Sequence, residues 1–135
     1  MKKLTLLLLL LVSTNVFSQW TKIGGNDDVA TYIDFQSIQK EGNEILAWML
    51  GNKVKVWVLN DYKINQIQIN GMKYSSDIVH YEYDCEKATQ IIMSAKSFSG
   101  HIGTGDIIGS VDRANLAEEI VPGTISEIRY KVACD

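Results

Sequence analysis

Hydrophobic and polar residues alternate along much of this chain, the period-2 pattern of strands with two unlike faces. Val54, Val56 and Val58 fall on one side of a segment whose other side is Lys53, Lys55, Trp57 and Leu59. Val79, Tyr81, Tyr83 and Cys85 share one face of residues 74–85, with His80, Glu82 and Asp84 on the other. Residues 30–35 alternate in the same way, and further strands are predicted at 20–23, 88–98 and 106–110. Turn residues separate these runs at Gly24-Gly25-Asn26-Asp27-Asp28, at Glu41-Gly42-Asn43 and, most clearly, at Asn70-Gly71. Residues 44–50 and 53–59, divided by Gly51-Asn52, read either as a two-residue hairpin or as one long strand bulged at the glycine.

The pattern changes at Val121-Pro122-Gly123. Thr124-Ile125-Ser126-Glu127 fits a capping box, in which the Thr and Glu side chains satisfy backbone N–H groups at a helix start. Ile125, Ile128 and Val132 then recur as one apolar stripe, predicting a helix of about ten residues that ends at Cys134. A looser alternation through 125–132 leaves a strand as the other reading of this stretch. The expected fold class is therefore α+β: an antiparallel sheet of about six strands with a C-terminal helix.

The N-terminus has a different logic. Lys2 and Lys3 precede an apolar run at 4–12, and Val16-Phe17-Ser18 offers small-residue cleavage chemistry before Gln19. The run is roughly half of the ~20 residues that span a bilayer. Residues 1–18 are thus expected to be a signal peptide cleaved after Ser18, leaving a single domain at 19–135. Because position 19 is Gln and not Cys, no thiol stands there to carry a lipid. The expectation is an exported protein, periplasmic, secreted or at the cell surface, with no stable membrane anchor.

Charge narrows the partners. The formal charge is −3, and it becomes −5 once Lys2 and Lys3 leave with the leader. That excess of carboxylates argues against nucleic acid, whose binding rests on clustered Lys and Arg. The 2 cysteines, Cys85 and Cys134, would meet an oxidising compartment and are expected to form a disulfide. The alternative, a metal or redox pair, lacks CxxC spacing and enough nearby ligands.

Several short pieces recur in a familiar order: Tyr32-Ile33-Asp34-Phe35-Gln36-Ser37-Ile38, Trp57-Val58-Leu59-Asn60-Asp61-Tyr62, Glu82-Tyr83-Asp84-Cys85, Gly103-Thr104-Gly105, and Val121-Pro122-Gly123-Thr124 with a terminal Cys134. Over essentially the whole exported part, this series resembles the surface-adhesin protein E family of small exported bacterial proteins. The resemblance implies an antiparallel sheet with a C-terminal helix tethered through Cys85 and Cys134. It also implies a non-enzymatic binding domain that contacts a host or envelope protein. The adhesin that names the family is a lipoprotein, and Gln19 departs from that pattern.

Chemistry is thinly supplied. His80 alternates with Tyr81 on a strand and reads as a surface histidine, and Asn26, Asp27 and Asp28 read as a solvated turn, short of the 6 to 8 oxygens of a calcium site. Residues 99–105 are the one stretch with site-like composition, and His101, Gly103, Thr104 and Gly105 are its candidate ligand-binding residues. The loop lacks the Lys-Ser/Thr ending of a phosphate loop, so turn geometry is the competing reading. No nucleophile, base and orienting group stand together, and neither a cofactor nor a metal is expected. A module that binds a small ligand or inhibits an enzyme through the His101 loop is the alternative to the adhesin-like reading.

Overall fold

The computed structural model describes residues 20–40, 52–112 and 116–135. The leader and residues 44–50, including the choice between hairpin and bulged strand, lie outside the described residues. The chain runs β1 (Trp20–Gly25), β2 (Val29–Asp34), a 3-10 turn (Phe35–Ser37), β3 (Gln39–Lys40), β4 (Lys53–Ile67), β5 (Lys73–Asp84), β6 (Thr89–Phe98), β7 (Ile107–Val111), β8 (Glu118–Glu119) and α1 (Ile125–Cys134). All strand pairs are antiparallel. The sheet order is β1-β2-β4-β5-β6-β7, with the two-residue strands β3 and β8 paired to β4 and β6. Eight strands thus replace the expected six, the additions being these two short pieces, and the α+β class stands.

One face of the sheet is the core. Ile33, Val54, Val56, Val58, Val79, Tyr81 and Tyr83 are buried on it beneath Ala133 of α1. Within β4 the period-2 reading grouped Val54, Val56 and Val58 on one face, and within β5 Val79, Tyr81 and Tyr83; both groups lie on the core side. Strand β4 is longer than expected, because it continues through Asn60, Asp61 and Tyr62, residues that suit a turn. Tertiary bonds hold them extended instead. Asn60 Oδ1 accepts from Thr31 Oγ1 at 3.0 Å and from Arg129 Nη1 at 3.0 Å, while Asn60 Nδ2 donates to Asp77 Oδ1 at 2.8 Å. The register between β4 and β5 then slips between Asp61 and Gln66, a bulge after which the hairpin resumes. At its tip Gly71 takes a φ of 82°, a left-handed conformation that glycine adopts without a Cβ clash.

The helix forms where expected, but two details differ. Thr124 makes no side-chain cap bond. Its hydroxyl donates back to Val121 O at 2.6 Å, closing the Pro122-Gly123 turn, and Glu127 reaches forward to Lys131 at 3.4 Å. The residues α1 buries are Arg129 and Ala133, with Ile125, Ile128 and Val132 only partly covered. Arg129 can point inward because its charge is met: Nη1 bonds Asn60, Nη2 donates to Ser126 Oγ at 3.2 Å, and the guanidinium lies 5.0 Å over the Tyr81 ring. Neither Arg129 Nε nor Tyr83 Oη makes a hydrogen bond of acceptable geometry.

Asp77 sits in the same network, accepting from Tyr62 Oη at 2.7 Å. Burial pushes its carboxyl above the ordinary value, opposed by its bonds from Asn60 and Tyr62 and by the charge of Arg129. Burial also raises the Tyr62 phenol, with the Asp77 charge adding to the effect. At the far end of the helix Cys134 is bonded to Cys85, with Cα atoms 5.7 Å apart, and Tyr130 Oη donates to Cys85 O at 2.8 Å. The helix is therefore fastened to the sheet at its middle by a polar network at Arg129 and at its C-terminal end by a covalent bond at Cys134.

Three outcomes follow from this packing. A Cys85→Ala/Cys134→Ala double variant should lose about 4 kcal/mol in urea unfolding, since the bond closes a loop of 49 residues; an unchanged midpoint would contradict that. Arg129→Met should cost about 2 kcal/mol, because it removes the donor to buried Asn60 Oδ1 and the positive charge that favours ionised Asp77, and the loss should shrink when Asp77→Asn is added. With its folded pKa above the unfolded 3.8, Asp77 binds more protons in the native state. Its ionisation therefore lowers stability as pH rises from about 4 through the raised value, and Asp77→Asn should remove this slope from the stability profile.

Candidate functional site

With α1 on one face, the opposite face is left for other uses. Strand register brings Leu59, Ile78 and Lys96 onto one rung there and Trp57, His80 and Ser94 onto the next. The loop of residues 99–105 folds over the first of these rungs. Ser76 Oγ donates to Gly100 O at 2.6 Å and accepts from Gly103 N at 2.9 Å. Asp61 Oδ1 accepts from Ile102 N at 2.9 Å and lies 3.0 Å from His101 Nδ1. Gly103, at φ 66°, rests against the sheet so closely that a Cβ would stand 2.9 Å from Ile78 Cδ1. Leu59, on the face opposite the main core, is fully buried beneath this loop.

All four loop candidates are thus in one place. His101 pairs with Asp61, Gly103 N donates to Ser76, and Thr104 N donates to His101 O at 3.2 Å while Thr104 O accepts from Gly100 N at 2.9 Å. Gly105 takes a φ of 83° in the closing turn. The His101 ring is more than half exposed. Ser76, His101 and Asp61 are the residue types of a hydrolytic triad, but the Ser76 hydroxyl is buried and committed to the loop backbone. Triad chemistry needs that hydroxyl hydrogen-bonded to the histidine and open to substrate. No group of three or more metal-ligating side chains occurs among the described residues.

Beside the loop, Trp57 and His80 stack with ring centroids 4.3 Å apart and planes within 6°. Burial first, and the Lys55 charge second, hold the His80 pKa below its ordinary 6.5, so the stacked imidazole is mainly neutral at pH 7. A cavity of about 270 Å³ opens next to this pair, lined by Trp57, Ile78, Ser94, Ala95, Lys96 and Phe98. Alternation put Trp57 on the same side of its strand as Lys53 and Lys55, and His80 on the same side as Glu82 and Asp84. Their juxtaposition needed the β4–β5 register, which sequence patterning did not supply.

The second exposed feature lies at the end of the sheet. Strand β2 pairs with β4 only as far as Tyr62, and β6 pairs with β5 only from Ser76, so the β4–β5 hairpin continues beyond both as a two-stranded ribbon. Its Ile64, Ile67, Ile69 and Met72 are exposed, as are Ile107 and Val111 on the edge strand β7. Gln68 leans against Gly109, leaving a groove of about 600 Å³ between the ribbon and β7, with Ile67, Ile69, Tyr74 and Val111 in its walls.

Comparisons with known proteins agree with this architecture. The family profile for surface-adhesin protein E matches residues 20–135. No curated protein sequence matches the chain. Among solved structures, crystal form II of Haemophilus influenzae protein E superposes with a TM-score of 0.64 at 15% identity, covering 90% of this chain and 91% of that one. Another structure of Haemophilus influenzae protein E gives 0.61 at 15% identity, covering 90% and 87%. At that identity the superpositions speak for the fold alone. The profile spans all of the described elements from Trp20 to the last residue, and by that match the chain belongs to the surface-adhesin protein E family.

Proposed function

We propose that this protein is an exported, non-enzymatic binding domain that docks a host-surface or envelope protein on the apolar β4–β5 ribbon. The observation that carries the reading is the ribbon itself. Four large apolar side chains, Ile64, Ile67, Ile69 and Met72, stand exposed on a hairpin that projects past its neighbouring strands. Leaving such surface in water is unfavourable, by about 25 cal/mol per Å², and contiguous exposed apolar patches mark interaction sites. Family membership supports an adhesin-like role, and the leader-like N-terminus supports export with cleavage after Ser18 and no lipid on Gln19. No helix among the described residues is long and apolar enough to cross a membrane.

Charging the tip tests this directly. Ile67→Lys/Ile69→Lys should leave the melting temperature nearly unchanged, because both side chains are exposed. The same variant should weaken capture of host-surface or envelope proteins by at least about tenfold. Undiminished capture would contradict the proposal, and so would turnover of a hydrolase substrate that His101→Ala abolishes without unfolding the protein.

A further inference from the structure

The cavity on the open face of the sheet has fixed walls and an unbalanced charge at its rim. Trp57 is held by its stack on His80, and Ile78 is backed by Gly103. Both walls are therefore set before anything binds, which reduces the ordering cost of binding. At about 270 Å³ the space falls just below the roughly 300–1,000 Å³ of pockets for drug-sized ligands. It suits one ring with a short arm. The apolar side chains lining it on this face are Trp57, Ile78 and Phe98, so the group that enters should be apolar.

The rim decides the other end of the ligand. On this face Glu82 lies 4.0 Å from Lys55, Asp61 is taken by His101 and the Ile102 amide, and Asp84 accepts from the amides of Glu86 and Lys87. Lys96, exposed at the cavity edge, has no carboxylate partner among the described residues. An ammonium without a counter-ion beside an apolar slot complements an anion carried on an apolar group. We propose that this cavity binds a small aromatic carboxylate, ring between Trp57 and Phe98 and carboxylate on Lys96, supplied either as a free acid or as the C-terminal aromatic residue of a peptide. The site is separate from the ribbon, so its failure and the failure of partner docking are distinguishable.

The test is a titration of the purified protein with 3-phenylpropionate, with neutral 3-phenylpropanol and with acetyl-Gly-Gly-Phe, followed by NMR of the Ile78 methyl and Trp57 indole signals. The acid should give saturable shifts at both residues and bind about tenfold more tightly than the alcohol, the factor expected for one charge-assisted contact. Lys96→Gln should erase that tenfold difference while the alcohol still shifts Ile78. Tighter binding of the tripeptide than of the free acid supports the peptide source, and the reverse supports a free metabolite-like acid. Absence of saturable shifts with every probe up to about 10 mM, or equal affinity for acid and alcohol, would overturn the assignment.

Discussion

The guanidinium of Arg129 is the point on which this architecture turns. It reaches from the middle of α1 to Asn60 at the centre of β4, covers the Tyr81 ring, and supplies a positive charge that favours the ionised form of buried Asp77. A buried cation is costly unless its donors are matched, and here two of its three nitrogens are bonded within the fold. The match has consequences for the strand. Asn60 is kept extended, β4 runs on past Tyr62, and the hairpin is carried out beyond β2 and β6. A bond that fixes the helix on one face thereby helps project the apolar ribbon from the end of the sheet.

Fastening α1 to a single face also explains why the other face differs. The core side carries Val54, Val56, Val58 and the tyrosines, sealed by the helix and the Cys85–Cys134 bond. On the far side the loop of residues 99–105 gives cover among the described residues, burying Leu59 and propping Ile78 through Gly103. The remainder of that face is left with a stacked Trp57–His80 pair, a lysine rim and a cavity. Ser76, His101 and Asp61, the residue types of a hydrolytic triad, are spent on holding the loop.

Much of the sheet could be read from the chain because period 2 survives wherever one face is buried and the other is not. Val79, Tyr81 and Tyr83 follow that rule, and so does the Asn70-Gly71 turn. Arg129 did not, because a charged residue in a helix reads as solvent-facing, and its partners Asn60 and Asp77 come from strands far away in sequence. For the same reason the stripe of Ile125, Ile128 and Val132 pointed to a helix face somewhat rotated from the one that is buried. The glycine loop was visible as a loop, since its residues demand unusual backbone angles. That it backs an apolar cavity, and that Trp57 meets His80 beside it, depends on inter-strand register that local pattern does not encode.

The central claim is that α1 is an integral part of one cooperative core while the ribbon stands outside it. Amide hydrogen exchange on the purified protein, resolved by residue, tests it most directly. The account predicts that amides of residues 128–133 exchange as slowly as those of β4 and β5 at residues 56–58 and 79–81, all through global unfolding, whereas residues 66–72 exchange far faster through local opening. Helix amides that exchange as readily as the hairpin tip would contradict it.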